Sequence, residues 1–128
     1  MLSRLLPLLV LLVVFSSGVA QAQQVTPDDV RAALREAAAQ EGVSGDILVQ
    51  IVACETGQRF NADALGDRGT SHGIAQLNDR PTGLLSHFYS VGYSNPYSVE
   101  QASAYLARVA AGHWSVQGIT LRRWSCYR

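Results

Sequence analysis

The sequence predicts a small, mainly α-helical domain that follows a removable leader. Apolar residues recur at helical spacing in four segments of the chain. Three of these segments begin at a residue suited to capping a helix, and a glycine follows the end of the same three. The chain has 128 residues, and about 106 remain once a leader of 22 is removed, which is enough for one domain with a single core.

Residues 1–22 are predicted to be a signal peptide. Arg4 supplies a positive start, Leu5 to Phe15 form an apolar core, and Ala20-Gln21-Ala22 is an A-x-A cleavage motif. Cleavage after this motif leaves residues 23–128 as the mature domain. The apolar run is shorter than the roughly 20 residues that span a bilayer, and no second such run follows. We therefore expect no stable membrane anchor after cleavage and a periplasmic or secreted protein.

The charge pattern argues against a nucleic-acid partner. The chain has 10 basic and 10 acidic residues, and removal of Arg4 leaves a net charge of about −1. All the basic residues are arginines, and only Arg122 and Arg123 are adjacent, so no basic stripe is formed. The three histidines have no paired spacing of the kind that binds zinc. We expect neither a metal site nor a cofactor.

The two cysteines, Cys54 and Cys126, predict a disulfide, because exported chains enter an oxidising environment. Closing a loop of about 70 residues contributes roughly 4 kcal/mol in the chain-entropy treatment. A catalytic thiol is the alternative. It requires an activating histidine, and none of His72, His87 and His113 is close to either cysteine in sequence.

The first predicted helix begins with Thr26 as its N-cap and Pro27 at the first helical position. Acidic residues occupy the first turn, where the helix dipole favours them. Gly42 is expected to end this helix, which we interpret as scaffold.

The second predicted helix runs from about Ile47 to Glu55 or Thr56, with Ser44 or Asp46 as its cap. Gly57 follows at the position where a helix commonly ends. One face of this helix has four residues at helical spacing: Leu48, Ile51, Val52 and Glu55. A carboxylate therefore lies on an otherwise apolar stripe.

A carboxylate in that position must be paired, protonated through a raised pKa, or placed at the wall of a cleft, because burying an ion costs several kcal/mol. Glu55 also lies in the last turn, where the negative end of the helix dipole acts with burial to raise the pKa. A raised pKa suits a general acid near neutral pH. Glu55 is therefore the candidate catalytic residue, and an arginine partner inside the fold is the alternative.

The remaining elements surround this helix. Gly66 to Gly73 is predicted to be a loop, since its glycines supply turn geometry. Leu84 to Tyr89 suggest a short amphipathic helix, and residues 91–97 a turn-rich loop.

Ser98 is predicted to begin the last helix, with Gln101 reaching back to the cap as in a capping box, and Gly112 to end it. The inner face of this helix contains Ala102, Tyr105, Leu106 and Val109. The tail is expected to cover the core with Trp114, Ile119, Leu121 and Trp124. A sugar-stacking role is the alternative for its tryptophans.

Four segments resemble motifs of the soluble lytic transglycosylase family. The segments are Glu55-Thr56-Gly57, Phe60-Asn61-x-x-Ala64, Ser71-x-Gly73-Ile74-x-Gln76 and Ser98-Val99-x-x-Ala102-x-x-Tyr105-Leu106. They are similar to Glu-Ser, Phe-Asn-Pro-x-Ala, Gly-Leu-Met-Gln and Asn-Ile-x-x-Gly-x-x-Tyr-Leu. The resemblance covers about Ile47 to Ala110, with Thr56, Ala75, Ser98 and Ala102 departing from the family's usual residues.

The resemblance implies a lysozyme-like fold of the goose type, in which a loop or short hairpin lines a sugar groove. It implies Glu55 as the proton donor. Amides and hydroxyls suit N-acetylated sugars, and the substrate-binding residues it implies are Ser71, Gly73, Gln76, Asn78 and Tyr105. Packing in the core is the alternative for Tyr105.

The implied reaction is cleavage of peptidoglycan between N-acetylmuramic acid and N-acetylglucosamine, with formation of a 1,6-anhydro ring. Two alternatives stay open. A muramidase-type hydrolase would use a second acid, for which Asp63, Asp67 and Asp79 are candidates, with Asp67 in the loop best placed to face the cleft. A lysozyme-like module could instead bind glycan with little turnover. A small domain of this kind suits local loosening of the wall for a secretion, conjugation or phage apparatus.

Overall fold

A computed structural model describes residues 24–127, and the predicted signal peptide lies outside these described residues. This part of the chain is mainly helical, as predicted. Its helices are α1 (Pro27–Glu41), α2 (Gly45–Glu55), α3 (Leu84–Ser90) and α4 (Val99–Ala110). Its strands are β1 (Leu65–Gly66) and β2 (Ser71–His72), and short 3-10 turns occur at Asp67–Gly69, Ser115–Gln117 and Leu121–Arg123. Within residues 24–127, none of the helices combines the length and the apolar character that crossing a bilayer requires.

The ends of α1 are formed by the residues that the sequence predicts. The Thr26 hydroxyl accepts a hydrogen bond from the Asp29 backbone N–H at 3.2 Å, and the Asp29 carboxylate accepts one from the Thr26 N–H at 2.9 Å. These reciprocal bonds satisfy two donors that a helix start otherwise leaves free. Gly42 ends the helix in a left-handed conformation, with φ of 67°.

Ser44 caps α2, which therefore begins at Gly45, two residues before the predicted start. Asp46 instead pairs with Arg35 of α1 across 2.6 Å. A Cβ atom at Gly45 would lie 3.1 Å from Cγ of Arg35, so this glycine lets the start of α2 approach α1 closely. A connection of three residues, 42–44, joins α1 to α2.

The core lies between α1, α2 and α4, and α3 closes one side of it. Tyr105 of α4 is fully buried at its centre. Its ring packs against those of Phe88 and Tyr93 edge to face and stacks on Trp114, with centroid distances of 5.3, 5.9 and 5.4 Å. Aromatic clusters of this kind add to the free energy gained by burial. The predicted inner face of α4 is confirmed.

The cap of α4 differs from the prediction in one respect. The Ser98 hydroxyl accepts from the Gln101 backbone N–H, as expected. The Gln101 side chain does not return to the cap; its Oε1 accepts from the backbone N–H groups of Ser94 and Asn95 at 2.8 and 3.0 Å. The capping-box prediction was therefore wrong for Gln101, because the preceding loop offers two unsatisfied donors within reach.

The predicted disulfide is confirmed: Cys54 and Cys126 are bonded, with their Cα atoms 5.9 Å apart. The catalytic-thiol alternative is excluded, since no free cysteine occurs in the described chain. The tail also covers the core as expected, with Ile119 and Trp124 buried. The indole N–H of Trp124 donates to the Ala75 carbonyl at 2.7 Å. The tail is thereby fixed beside the end of α2.

Replacing both Cys54 and Cys126 by serine is expected to lower the free energy of unfolding by about 4 kcal/mol, because the bridge closes a long loop in the unfolded chain. The sequence separation of the two residues is 72. Urea unfolding followed by circular dichroism measures the change. Reductant added to the wild type should reproduce it, and two titratable thiols in the native protein would contradict the bridge.

Candidate active site

Glu55 is the last residue of α2, and its side chain is half-buried at the protein surface. The helix ends here because the Thr56 hydroxyl donates to the Val52 carbonyl at 2.7 Å and accepts from the Phe60 N–H at 2.9 Å. Gly57 then turns the chain away with φ of 60°. The end of α2 therefore presents the Glu55 carboxyl group rather than burying it in the core.

The predicted loop opposite Glu55 is a short antiparallel hairpin, in which Leu65 pairs with His72 and Gly66 with Ser71. Gly66 is required by a close approach: a Cβ atom there would lie 2.0 Å from Oε1 of Gln76. The Gln76 amide nitrogen donates to the Gly73 and Ala64 carbonyls at 2.9 and 3.3 Å. The Gln76 side chain is thus fixed against the hairpin.

Two adjoining pockets meet at Glu55. The Asn61 pocket has a volume of about 280 Å³ and is also lined by Arg59 and Gly66. The Trp124 pocket has a volume of about 380 Å³, and its lining includes Asp67, Asn78, Arg80, Arg123 and Trp124. Because Glu55 and Gln76 line both pockets, the two form halves of one groove with the carboxyl group at their junction.

The pKa of Glu55 is raised above its ordinary value, chiefly because burial disfavours the charged form. The backbone of Cys126 opposes this shift, and the negative charge of Asp67 adds to it. Within residues 24–127, no arginine or histidine forms an ion pair with Glu55. The alternative of an arginine partner in the fold is therefore wrong for the described chain.

Asp67 is held in the groove by a chain of hydrogen bonds behind the hairpin. The Ser71 hydroxyl donates to the Asp67 carboxylate and accepts from the Asn78 amide nitrogen at 3.1 Å. Oδ1 of Asn78 accepts from the Thr82 N–H and hydroxyl at 3.2 and 2.7 Å. Since Ser71 and Asn78 are buried, the bond between them is shielded from competition with water.

Only one of the three candidate second acids, Asp67, lines either pocket of the groove. Asp79 is turned toward α3, where its carboxylate accepts from the Ser86 N–H and hydroxyl at 2.8 and 2.6 Å. These hydrogen bonds lower the pKa of Asp79. Asp63 is exposed and lines neither pocket.

The predicted substrate-binding residues divide into two groups. Gln76 and Asn78 line the groove together with Glu55. Ser71, Gly73 and Tyr105 are buried and line neither pocket, so the structure does not place them where a ligand in the groove would touch them. The Ser71 hydroxyl instead joins Asp67 to Asn78.

Gly73 and Tyr105 have structural contacts that account for them. A Cβ atom at Gly73 would lie 2.0 Å from the Pro96 carbonyl oxygen, so glycine is needed for the hairpin to pack on the loop before α4. The Tyr105 hydroxyl hydrogen-bonds Nδ1 of His87 at 2.9 Å, and burial raises its pKa. The core-packing alternative therefore describes Tyr105 in this structure.

Three arginines of the groove were not assigned from the sequence: Arg59, Arg80 and Arg123. Arg59 and Arg80 each lie within a few residues of a predicted site residue. Arg123 lies far from Glu55 in sequence, and only the bridge from Cys54 to Cys126 signals that the tail reaches the groove.

Backbone strain is concentrated around the groove. In residues 24–127, five residues other than glycine have left-handed φ values: Gln58, Phe60, Asp67, Arg68 and Gln76. Such conformations are uncommon for side-chain-bearing residues and cost of order 1–3 kcal/mol each. All five lie between the end of α2 and the segment after the hairpin, and two of them line the groove. Strain of this kind accumulates at functional sites.

Comparison of the chain with protein-family models, curated proteins and solved structures finds no match. The resemblance of the motifs around Glu55 therefore stays a prediction.

Glu55→Gln is expected to raise the melting temperature at neutral pH. The folded protein holds the Glu55 proton more tightly than the unfolded chain, so wild-type stability falls as the pH rises from the ordinary value of 4.5 through the raised pKa. Glutamine has no charge to desolvate, and the difference between the proteins should vanish below about pH 4. Thermal unfolding of both proteins at a series of pH values measures the difference in melting temperature.

Glu36→Gln, an exposed change on α1, is the matched control and should have little effect at any pH. A lower melting temperature for Glu55→Gln than for the wild type at neutral pH would contradict the raised pKa.

Proposed function

We propose that this chain is an exported lytic transglycosylase with a lysozyme-like fold, which cleaves the β-1,4 bond between N-acetylmuramic acid and N-acetylglucosamine in peptidoglycan. One observation carries the proposal: Glu55, half-buried and without an ion-pair partner in the described chain, lies where two pockets join. A glycan bound along the groove has one sugar on each side of this carboxyl group. The bond between those sugars is the one that Glu55 can protonate.

In the proposed reaction Glu55 acts first as acid and then as base. Its carboxyl proton passes to the bridging oxygen, which leaves on the N-acetylglucosamine side, and the N-acetyl group of the muramic acid stabilises the sugar cation. The carboxylate then takes the proton of the C6 hydroxyl as that oxygen bonds to C1. The proton balance closes and no water is consumed. The raised pKa of Glu55, due chiefly to burial, increases the protonated fraction near neutral pH.

The polar groups of the groove support an N-acetylated sugar as the ligand. The side-chain amide of Asn61 lines the Asn61 pocket and makes no hydrogen bond within residues 24–127. An amide can both donate to an acetamido carbonyl and accept from its N–H. Pro81 provides an exposed apolar surface in the other pocket, and sugar rings pack on such surfaces through their C–H faces.

Three further observations support the assignment. The order and spacing of the motifs resemble the transglycosylase family, and the segment after Glu55 forms a hairpin that lines the groove. The Cys54–Cys126 disulfide is compatible with a periplasmic or secreted protein. Peptidoglycan strands are the proposed partner, in the local wall loosening that a secretion, conjugation or phage apparatus requires.

A muramidase-type hydrolase is the second candidate, and the position of Asp67 favours it. Asp67 lines the same pocket as Glu55, and its negative charge contributes to the raised pKa of Glu55. Two carboxyl groups flanking the scissile bond are the ordinary arrangement of glycoside hydrolases. In that reaction Asp67 would activate a water molecule, and the product would have a reducing end.

Glu55→Gln is expected to reduce the release of muropeptides from purified peptidoglycan by at least about 100-fold, because it removes the general acid. Mass spectrometry of the wild-type digest should show 1,6-anhydro-muramyl ends. Glu36→Gln, remote from the groove, is the matched control and should retain wild-type activity. Binding of glycan without release of products by the wild type would instead identify a binding module.

Asp67→Asn is expected to leave the 1,6-anhydro products unchanged and to move the alkaline limb of the pH–rate profile to lower pH, because removing the Asp67 charge lowers the pKa of Glu55. Asp63→Asn, outside both pockets, controls for a general effect of charge. A loss of about 100-fold on Asp67→Asn, together with reducing-end products from the wild type, would establish the hydrolase.

A further inference from the structure

The Trp124 pocket contains two arginines that form no ion pair within the described chain. Arg123, from the 3-10 turn Leu121–Arg123, and Arg80, from the segment before α3, both line this pocket. Neither forms an ion pair within residues 24–127. The carboxylates of Glu55 and Asp67 line the same pocket but do not pair with them.

The Arg123 guanidinium group is held in place by backbone carbonyls. Its Nε donates to the Gly118 carbonyl at 3.0 Å, and its Nη1 donates to the Thr82 carbonyl at 2.8 Å. These bonds use two of the five N–H donors of the side chain and leave three. A carbonyl fixes the position of the group without cancelling its charge, so the remaining donors stay available to an anion in the pocket.

The pocket beside Arg123 is partly apolar, and its two arginines are exposed to solvent. Pro81, Leu84 and Trp124 give the pocket apolar walls, and Leu84 and Trp124 are themselves buried. Arg80 and Arg123 are both exposed, so an ion pair formed there stays partly hydrated and depends on the geometry of its hydrogen bonds. The planar fork of arginine matches the two oxygens of a carboxylate, which it binds through paired hydrogen bonds.

We infer that the Trp124 pocket binds a carboxylate carried by the glycan, and that Arg123, assisted by Arg80, is the residue that selects for it. This inference rests on the proposed function, since it places the carboxylate on a strand whose scissile bond lies at Glu55. Two groups of peptidoglycan supply this chemistry: the lactyl carboxylate of muramic acid and the carboxylates of a stem peptide. A neutral polymer of N-acetylglucosamine supplies neither, so Arg123 separates wall glycan from chitin-like glycan.

Binding measured in the Glu55→Gln background tests this inference, because the ligand is not consumed. The probe is a short peptide-free oligosaccharide of alternating N-acetylglucosamine and N-acetylmuramic acid, with its lactyl carboxylates either free or converted to methylamides. Isothermal titration should show about tenfold tighter binding of the free form, the magnitude expected for hydrogen bonds to a charged group. Adding Arg123→Gln should abolish this preference.

Arg122→Gln is the matched control, because Arg122 is exposed in the same turn and lines neither pocket of the groove. It should keep the full preference for the free carboxylate. Arg80→Gln provides a second variant, since the Arg80 side chain makes no hydrogen bond in the described chain and its loss should not unfold the tail. It should reduce the preference, and urea midpoints verify that each variant is folded.

Strands that carry stem peptides distinguish the two sources of the carboxylate. An effect of Arg123→Gln on peptide-free strands identifies the lactyl group, and an effect confined to peptide-bearing strands identifies the peptide. Equal behaviour of Arg123→Gln and Arg122→Gln on all strands would overturn the inference. So would an equal loss on free and methylamide forms, which would show that Arg123 only holds the tail. In both cases the wild type would still cleave peptidoglycan. If the proposed function itself were wrong, the wild type would not cleave it.

Discussion

The covalent bond between Cys54 and Cys126 is the constraint on which the groove depends. It joins the residue before Glu55 to the segment around Trp124, so this segment forms a wall beside the end of α2. Trp124 fixes the same segment through its hydrogen bond to the Ala75 carbonyl. The tail contributes one side of the Trp124 pocket. The disulfide and this hydrogen bond therefore hold the wall of the groove beside the candidate acid.

The polar residues of the groove fall into two groups: some hold its shape through internal hydrogen bonds, and others keep polar groups that a ligand could bind. The Ser71 hydroxyl binds the Asp67 carboxylate, and Asn78 uses its amide on Ser71 and Thr82. This arrangement keeps the Asp67 carboxylate in place. Within residues 24–127, the side-chain amide of Asn61 makes no hydrogen bond and the arginines of the groove form no ion pair. Arg123 uses two of its donors on backbone carbonyls and keeps the others. A motif residue can thus matter to a site without touching what the site binds.

Sequence signals that act over a few residues predicted the helices well, because caps and glycine ends are local. The disulfide and the half-buried Glu55 also followed from the sequence, since an even cysteine pair and an acid on an apolar stripe have few physical solutions. The sequence did not predict that Arg123 lines the groove or that Gly73 lies outside it. Gly73 packs closely against the Pro96 carbonyl, and Arg123 donates a hydrogen bond to the Thr82 carbonyl. Contacts between segments this far apart in the chain cannot be predicted from the spacing of residues in the sequence. Gln101 shows the same limit at short range, because the loop before it competes for its side chain.

The close approach of Gly73 to Pro96 has a mechanical consequence. The hairpin is held from behind by that contact and by the hydrogen bonds of Gln76 to Ala64 and Gly73, so movement of its backbone away from the groove would break them. A ligand of the proposed kind would meet a wall that these contacts already hold in position. Preorganisation of this kind avoids the entropy lost when a flexible loop is ordered around a ligand. For a ligand of the proposed kind, affinity would then depend chiefly on its fit to the shape that these contacts maintain.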